Sequence, residues 1–114
     1  MHVLVTGGAG YIGSHACKAL AEAGYTPVAY DNLSTGRENA VHWAPLETGD
    51  LLDRDRLDAV FAAYEPVAVM HFAAAIDVAE SVTNPGKYWR NNLFGSLTLA
   101  EAMVAHDCLK LVFS

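Results

Sequence analysis

Basic residues are scarce in this sequence. Seven lysines and arginines stand against thirteen acids, a formal net charge of −6 over 114 residues, and nowhere do the positive charges cluster. Binding a polyanion through its phosphates needs such a cluster, so charge argues against nucleic acid as a partner. Cysteine is scarcer still. Cys17 and Cys108 allow at most one bridge and lie in apolar helical or helix-end surroundings, the pattern of a reduced intracellular chain. Long apolar runs are missing too. The longest, Val67 to Ile76, contains His71 and is about half of the ~20 residues that a membrane span requires. Met1-His2-Val3 lacks the charged start of a signal peptide. The expectation is a cytoplasmic protein with no membrane partner. The five histidines, at 2, 15, 42, 71 and 106, show no ligand spacing with one another or with the cysteines, so no metal site is expected.

What the chain does have is apolar side chains, 53% of all residues, enough for the core of one domain. Val3-Leu4-Val5 reads as a short strand ended by glycines. Ile12, Ala16, Ala19, Leu20 and Ala23 then recur at helical spacing until Gly24. Thr26 to Tyr30 is a second strand closed by Asp31-Asn32, Ser34 to Asn39 a loop or turn, and Trp43 to Thr48 a weaker third strand. From Asp53, a good N-cap, Leu57, Val60, Phe61 and Tyr64 form the stripe of a helix that Pro66 stops. Val67 to Phe72 is apolar almost throughout, as suits a strand covered on both faces of a parallel sheet. Asn84-Pro85 opens a long helix to about His106, with Trp89, Leu93, Leu97, Ala100 and Val104 on one face, and Leu109 to Phe113 is a fifth strand. Strand and helix alternate with short joins, which predicts right-handed crossovers and a doubly wound α/β sheet in order 3-2-1-4-5. Ser114 falls at the end of a strand with nothing following to cover it, so an incomplete domain is expected.

The most specific local signal is Thr6-Gly7-Gly8-Ala9-Gly10-Tyr11-Ile12-Gly13. It reads as G-x-G-x-x-G through Gly8, Gly10 and Gly13, or as G-x-x-G-x-x-G through Gly7, Gly10 and Gly13. Either way the glycines permit a tight turn, a close backbone approach to pyrophosphate, and close helix packing, while the helix N-terminus attracts phosphate. The position between a strand and a helix points to a Rossmann-like dinucleotide site. Asp31 follows about ~20 residues later, where a carboxylate accepts hydrogen bonds from the adenosine ribose, which favours NAD over NADP. The alternative for Asp31-Asn32 is a plain Asx-turn, and Arg37 nearby keeps NADP in view. Asp50, after the third strand, is either at the adenine edge or a loop acid. Gly86-Lys87 fails as a phosphate loop, because Ser81 and Tyr88 stand where glycine and a magnesium-binding hydroxyl belong. His71 reads as a hydrogen-bonded core histidine rather than a catalyst, and Glu80 as a solvated acid.

These residues, with TGGAGYIGSH at 6–15, YDNLSTGRENAV at 30–41, GDLLD at 49–53, HFAAAIDVAESVTNP at 71–85 and NNLFGSLTLAEAM at 91–103, resemble the amino-terminal part of the UDP-glucose 4-epimerase family of extended short-chain dehydrogenases/reductases. The resemblance implies that Tyr11 and Ile12 meet the pyrophosphate, that Asp31, Asn32, Leu33, Ser34, Thr35 and Gly36 cradle the adenosine ribose, and that Asp50 and Leu51 border the adenine. Phe72, Ala73 and Ala74 would pass under the nicotinamide half, with Asn91 holding that loop. It further implies tightly held NAD, a UDP-sugar substrate whose C4 is oxidised and reduced again on its other face, and a homodimer built on the helix from Pro85 to His106. Ile76 replaces a lysine and Ala79 a glycine common in the family, which bears on substrate preference. The family's Tyr-x-x-x-Lys pair is absent: none of the five tyrosines has a lysine in place. Ser114 matches the first serine of the strand end just before the family's catalytic hydroxyl. No catalytic residue is therefore assigned. A nucleotide-sugar 4,6-dehydratase or decarboxylase of the same superfamily, and a non-catalytic NAD-sensing module, are the alternatives.

Overall fold

The computed structural model describes residues 1–33, 43–72, 86 and 90–113. Five strands, β1 (His2–Thr6), β2 (Thr26–Asp31), β3 (Leu46–Thr48), β4 (Ala68–His71) and β5 (Leu111–Phe113), form one sheet in order β3-β2-β1-β4-β5. Every pairing is parallel, so the expected parallel sheet and strand order hold. Helices α1 (Tyr11–Glu22), α2 (Arg54–Tyr64) and α3 (Gly95–Ala105) cover it.

Neighbouring residues on a strand point to opposite faces, and the two cores sort by that parity. Leu4, Val28, Tyr30 and Val69 point to the side where Leu57, Val60 and Phe61 of α2 and Leu99, Ala102 and Met103 of α3 meet them. Val5 and Ala29 point the other way, to Cys17 of α1, with Leu20 and Met70 packed alongside. A sheet apolar on both faces explains why β4 reads as a continuous hydrophobic run.

Helix α2 is capped as its sequence foretells. The Asp53 carboxylate accepts from the Arg56 amide at 3.1 Å, and Asp55 adds negative charge in the first turn. The helix ends not at Pro66 itself but at Glu65, which takes a left-handed conformation at φ 48° while its amide closes the last turn on Phe61. Asp53→Ala is expected to lower stability by about 1 kcal/mol in denaturant unfolding, the usual worth of such a cap.

On two helices the buried side is not the apolar series named from the sequence. On α1 the buried residues are Gly13 and Cys17, while Ala16 and Leu20 are half-buried and Ala19 and Ile12 lie exposed. On α3 the stripe Leu93, Leu97, Ala100 and Val104 faces away from the sheet, and Gly95, Leu99, Ala102 and Met103 face into it. The long helix is also not uniform, because Arg90–Phe94 winds as a π-helix before α3 begins. Strands β3 and β5 are shorter than expected, at three residues each. The loop expected at Ser34 to Asn39, the helix start at Asn84-Pro85, and Trp89 lie outside the described residues.

Candidate dinucleotide-binding site

In an open parallel sheet ligands bind beyond the carboxyl ends of the strands, near where the strand order reverses. Here that place is the mouth between β1 and β4, with the glycine turn at its centre. Gly7 sits at φ 71°, a left-handed conformation that favours glycine. A Cβ on Gly8 would stand 2.5 Å from the Ala29 Cβ, and one on Gly13 would stand 2.0 Å from the Gly7 carbonyl oxygen. Both readings of the motif therefore have physical content: Gly7 and Gly8 shape the turn, and Gly13 lets α1 press against it.

Gly10 differs from these. Its backbone is extended, at φ −78° and ψ 174°, and a Cβ there would meet only the Gly7 oxygen at 3.3 Å. As the N-cap of α1 it offers no side chain to the first turn, which contains no acid either. The first N–H groups of any helix lack intrahelical acceptors, so the amides of Tyr11, Ile12 and Gly13 begin an uncapped positive end. The contrast with α2, closed by its own Asp53 and Asp55, is informative. One helix satisfies its own N-terminus and the other presents it at the mouth of the sheet. Tyr11 is 80% exposed, its ring edge-on to His15 at 4.6 Å between centroids, so its backbone rather than its side chain is committed here.

Asp31 ends β2 and is only 8% exposed. Its Oδ2 accepts from the Ala9 amide at 3.0 Å and its Oδ1 from the Leu33 amide at 2.7 Å. The second bond is the Asx-turn of the alternative reading; the first ties the carboxylate to the glycine turn. A carboxylate has about four acceptor positions. Among the described residues these two bonds leave about one on each oxygen, what a vicinal diol requires. Turn formation and ribose binding are thus compatible uses of one side chain. The Gly7 amide donates to the Tyr30 carbonyl at 2.8 Å, a second clamp between turn and β2.

Asp50 is exposed and held as a loop acid: Oδ1 accepts from the Leu52 amide at 2.9 Å and Oδ2 from Asn32 Nδ2 at 3.5 Å. The buried Tyr30 hydroxyl donates to the Asp50 carbonyl at 2.7 Å. Leu51 buries its side chain in the core against Gly95. Asp31, Asn32 and Asp50 are thus brought together beside the glycine turn. Phe72 follows β4 with its amide bonded to both Thr6 O at 3.0 Å and Thr6 Oγ1 at 3.1 Å. Asn91 lies in the π-helical turn ahead of Gly95. Ser34, Thr35, Gly36, Arg37, Ala73, Ala74, Ile76, Ala79, Glu80 and Ser114 fall outside the described residues.

His71 is, as expected, a buried hydrogen-bonded histidine, 1% exposed, with Thr6 Oγ1 at 2.6 Å from Nδ1 and Ser96 Oγ at 3.0 Å from Nε2. Thr6 and Ser96 were not singled out from the sequence. The parity of β1 and β4 is the signal that finds them, since it sends Thr6 and His71 to the face that α3 covers. Desolvation pulls the His71 imidazole below its usual 6.5. An unfolded chain then binds a proton that the folded one refuses. Stability is therefore expected to fall as pH drops below about 6.5, and less steeply in His71→Gln, by thermal unfolding across that value. Burial likewise pushes the Cys17 thiol up to about 11, and both cysteines are unpaired and buried. Among the described residues no group of His, Cys, Asp or Glu is placed to hold a metal, and no helix is long and apolar enough to cross a membrane.

Residues 3–114 match the NAD dependent epimerase/dehydratase family. The chain belongs to that family. It is 54% identical over 113 residues to the UDP-glucose 4-epimerase of Rhizobium meliloti, covering 99% of this chain and 34% of that protein. Among solved structures, UDP-glucose 4-epimerase from Brucella ovis in complex with NAD is 51% identical with a TM-score of 0.95, covering 98% of this chain and 34% of the other. UDP-glucose 4-epimerase from Thermotoga maritima with UDP-glucose is 37% identical with a TM-score of 0.95, covering 99% and 37%. The chain thus spans about a third of the length of the relatives it matches.

Proposed function

We propose that residues 1–114 are the NAD-binding part of an enzyme that interconverts UDP-glucose and UDP-galactose. The observation that carries the cofactor reading is the pairing of an uncapped α1 N-terminus with Asp31, a buried carboxylate with unused acceptor positions, joined through the Ala9 amide. The amides of Tyr11 and Ile12 would take the pyrophosphate, with Gly7, Gly10 and Gly13 giving the backbone room. Asp31 to Gly36 would take the adenosine ribose, Asp50 and the Leu51 backbone the adenine, and Phe72 to Ala74 with Asn91 the nicotinamide side. A 2′-phosphate would meet the Asp31 charge, so NAD is preferred to NADP. NAD supplies a reversible hydride acceptor. This chain's residues would bind and orient it, and no proton-transferring tyrosine and lysine pair is assigned among them.

The substrate reading is supported by the relatives, two of which are described as UDP-glucose 4-epimerases with NAD or UDP-glucose bound. The outward stripe of α3, with Leu97 54% and Val104 67% exposed, supports a homodimer built on that helix. Two unpaired buried thiols support a cytoplasmic location. The cofactor reading is tested by denaturing the purified full-length protein and identifying the released nucleotide. NAD in near one-to-one amount is expected. NADP, or no nucleotide together with equal affinity for both added cofactors, contradicts it. Sedimentation of the same sample is expected to give a dimer, and a monomer removes the α3 interface.

A further inference from the structure

The hydrogen bonds around His71 have a direction. Thr6 is fully buried at the end of β1, and its Oγ1 already accepts from the Phe72 amide at 3.1 Å. Its own proton has one acceptor within reach among the described residues, His71 Nδ1 at 2.6 Å. A nitrogen that accepts carries no proton, so in the neutral ring the proton is on Nε2, where Ser96 Oγ at 3.0 Å receives it. The reverse order would leave the buried Thr6 hydroxyl proton with no acceptor, since two donors would then point at its oxygen. Among the described residues no charged group is paired with this set, and the Phe113 ring is tilted against the imidazole at 5.2 Å.

We propose that His71 is a positioning residue, held as the neutral Nε2–H tautomer in a one-way chain from the Phe72 amide through Thr6 and His71 to Ser96. The chain crosses three elements. It fixes the ends of β1 and β4 to each other and to α3 at the mouth of the sheet, one residue from the glycine turn at Gly7 and at the point where Phe72 leaves β4. Its consequence for the bound cofactor rests on the functional reading above, whereas the proton order does not. With cofactor bound, a fixed Phe72 backbone holds the nicotinamide side in register, and Ser96 transmits the packing of α3 to that place.

The test uses the full-length protein labelled with nitrogen-15 at histidine. Its ring spectrum at neutral pH is expected to show His71 protonated on Nε2 alone. Thr6→Val removes the donor to Nδ1 and is expected to give mixed tautomers, Phe72 amide exchange about tenfold faster, and release of bound NAD faster by a similar factor. Thr6→Ser keeps the hydroxyl and is expected to restore all three. Ser96 is only half-buried, so Ser96→Ala provides a second variant whose fold is not at risk, and it is expected to broaden the Nε2–H signal by exchange. An Nδ1–H or charged ring in the wild type overturns the proposal, as does a Thr6→Val protein with unchanged ring signals and Phe72 exchange. Unchanged NAD release beside altered ring signals overturns the positioning role. If the wild type takes up no NAD, the functional reading fails, and the ring spectrum with Phe72 exchange still decides the chain.

Discussion

Replacing Gly13 with alanine is expected to abolish cofactor retention and to destabilise the full-length protein by about 3 kcal/mol, near the upper end for overpacking a tight site. The reason is local and steric. The new methyl would lie 2.0 Å from the Gly7 carbonyl oxygen, 2.7 Å from its carbon and 2.9 Å from the Gly8 Cα, all backbone atoms. A clashing side chain can swing away, whereas this backbone cannot: Gly7 is already in the left-handed region, and its amide is bonded to Tyr30. Relief requires α1 to move outward, carrying the Tyr11 and Ile12 amides away from the turn. Unfolding by denaturant measures the first effect, and the nucleotide content of the folded fraction the second. Gly10→Ala is the control. Its Cβ meets a single atom at 3.3 Å, so stability should change by under about 1 kcal/mol while binding weakens through crowding at the helix end.

Asp31→Ala is expected to weaken NAD binding by about 1.5 to 3 kcal/mol, roughly 12- to 150-fold, from loss of charge-assisted bonds to the ribose. The substitution does more than delete a ligand contact. It also strands the Ala9 and Leu33 amides that the carboxylate satisfies at 3.0 and 2.7 Å, so the glycine turn loosens with it. Asp31→Asn separates the two roles. Its amide oxygen can still accept from one of these amides, and it removes the charge that a 2′-phosphate would oppose. Titration with both cofactors should show NAD affinity falling and the preference over NADP narrowing. Unaltered NAD affinity in both variants removes Asp31 from the site.

The sheet order was legible in the sequence because a doubly wound sheet advertises itself. Three of the four joins between β-rich runs carry a stretch of helical period, and β4 is apolar on both faces. The glycine turn and Asp31 were legible for a similar reason, since each answers a local backbone demand. The orientation of α3 was not. Its sequence carries two apolar stripes, and periodicity alone does not say which one meets the sheet. The structure turns Gly95, Leu99, Ala102 and Met103 inward, and the fit at Gly95 is close enough that an added Cβ would stand 3.2 Å from the Leu51 Cβ. Leu93, Leu97 and Val104 are left outside. On α1, likewise, Gly13 and Cys17 go inward where the longer Ile12 does not. Thr6, His71 and Ser96 come together from positions 65 and 25 residues apart, which no local pattern reveals.

We proposed above that the protein catalyses a reversible epimerisation at a sugar attached to UDP. The most direct measurement is to give the full-length protein, as purified and with no cofactor added, UDP-galactose, and to analyse the products. UDP-glucose is expected, formed until both sugars stand at equilibrium, with no net NADH released. A 4-keto-6-deoxy sugar, or no conversion by protein that holds its NAD, would contradict it.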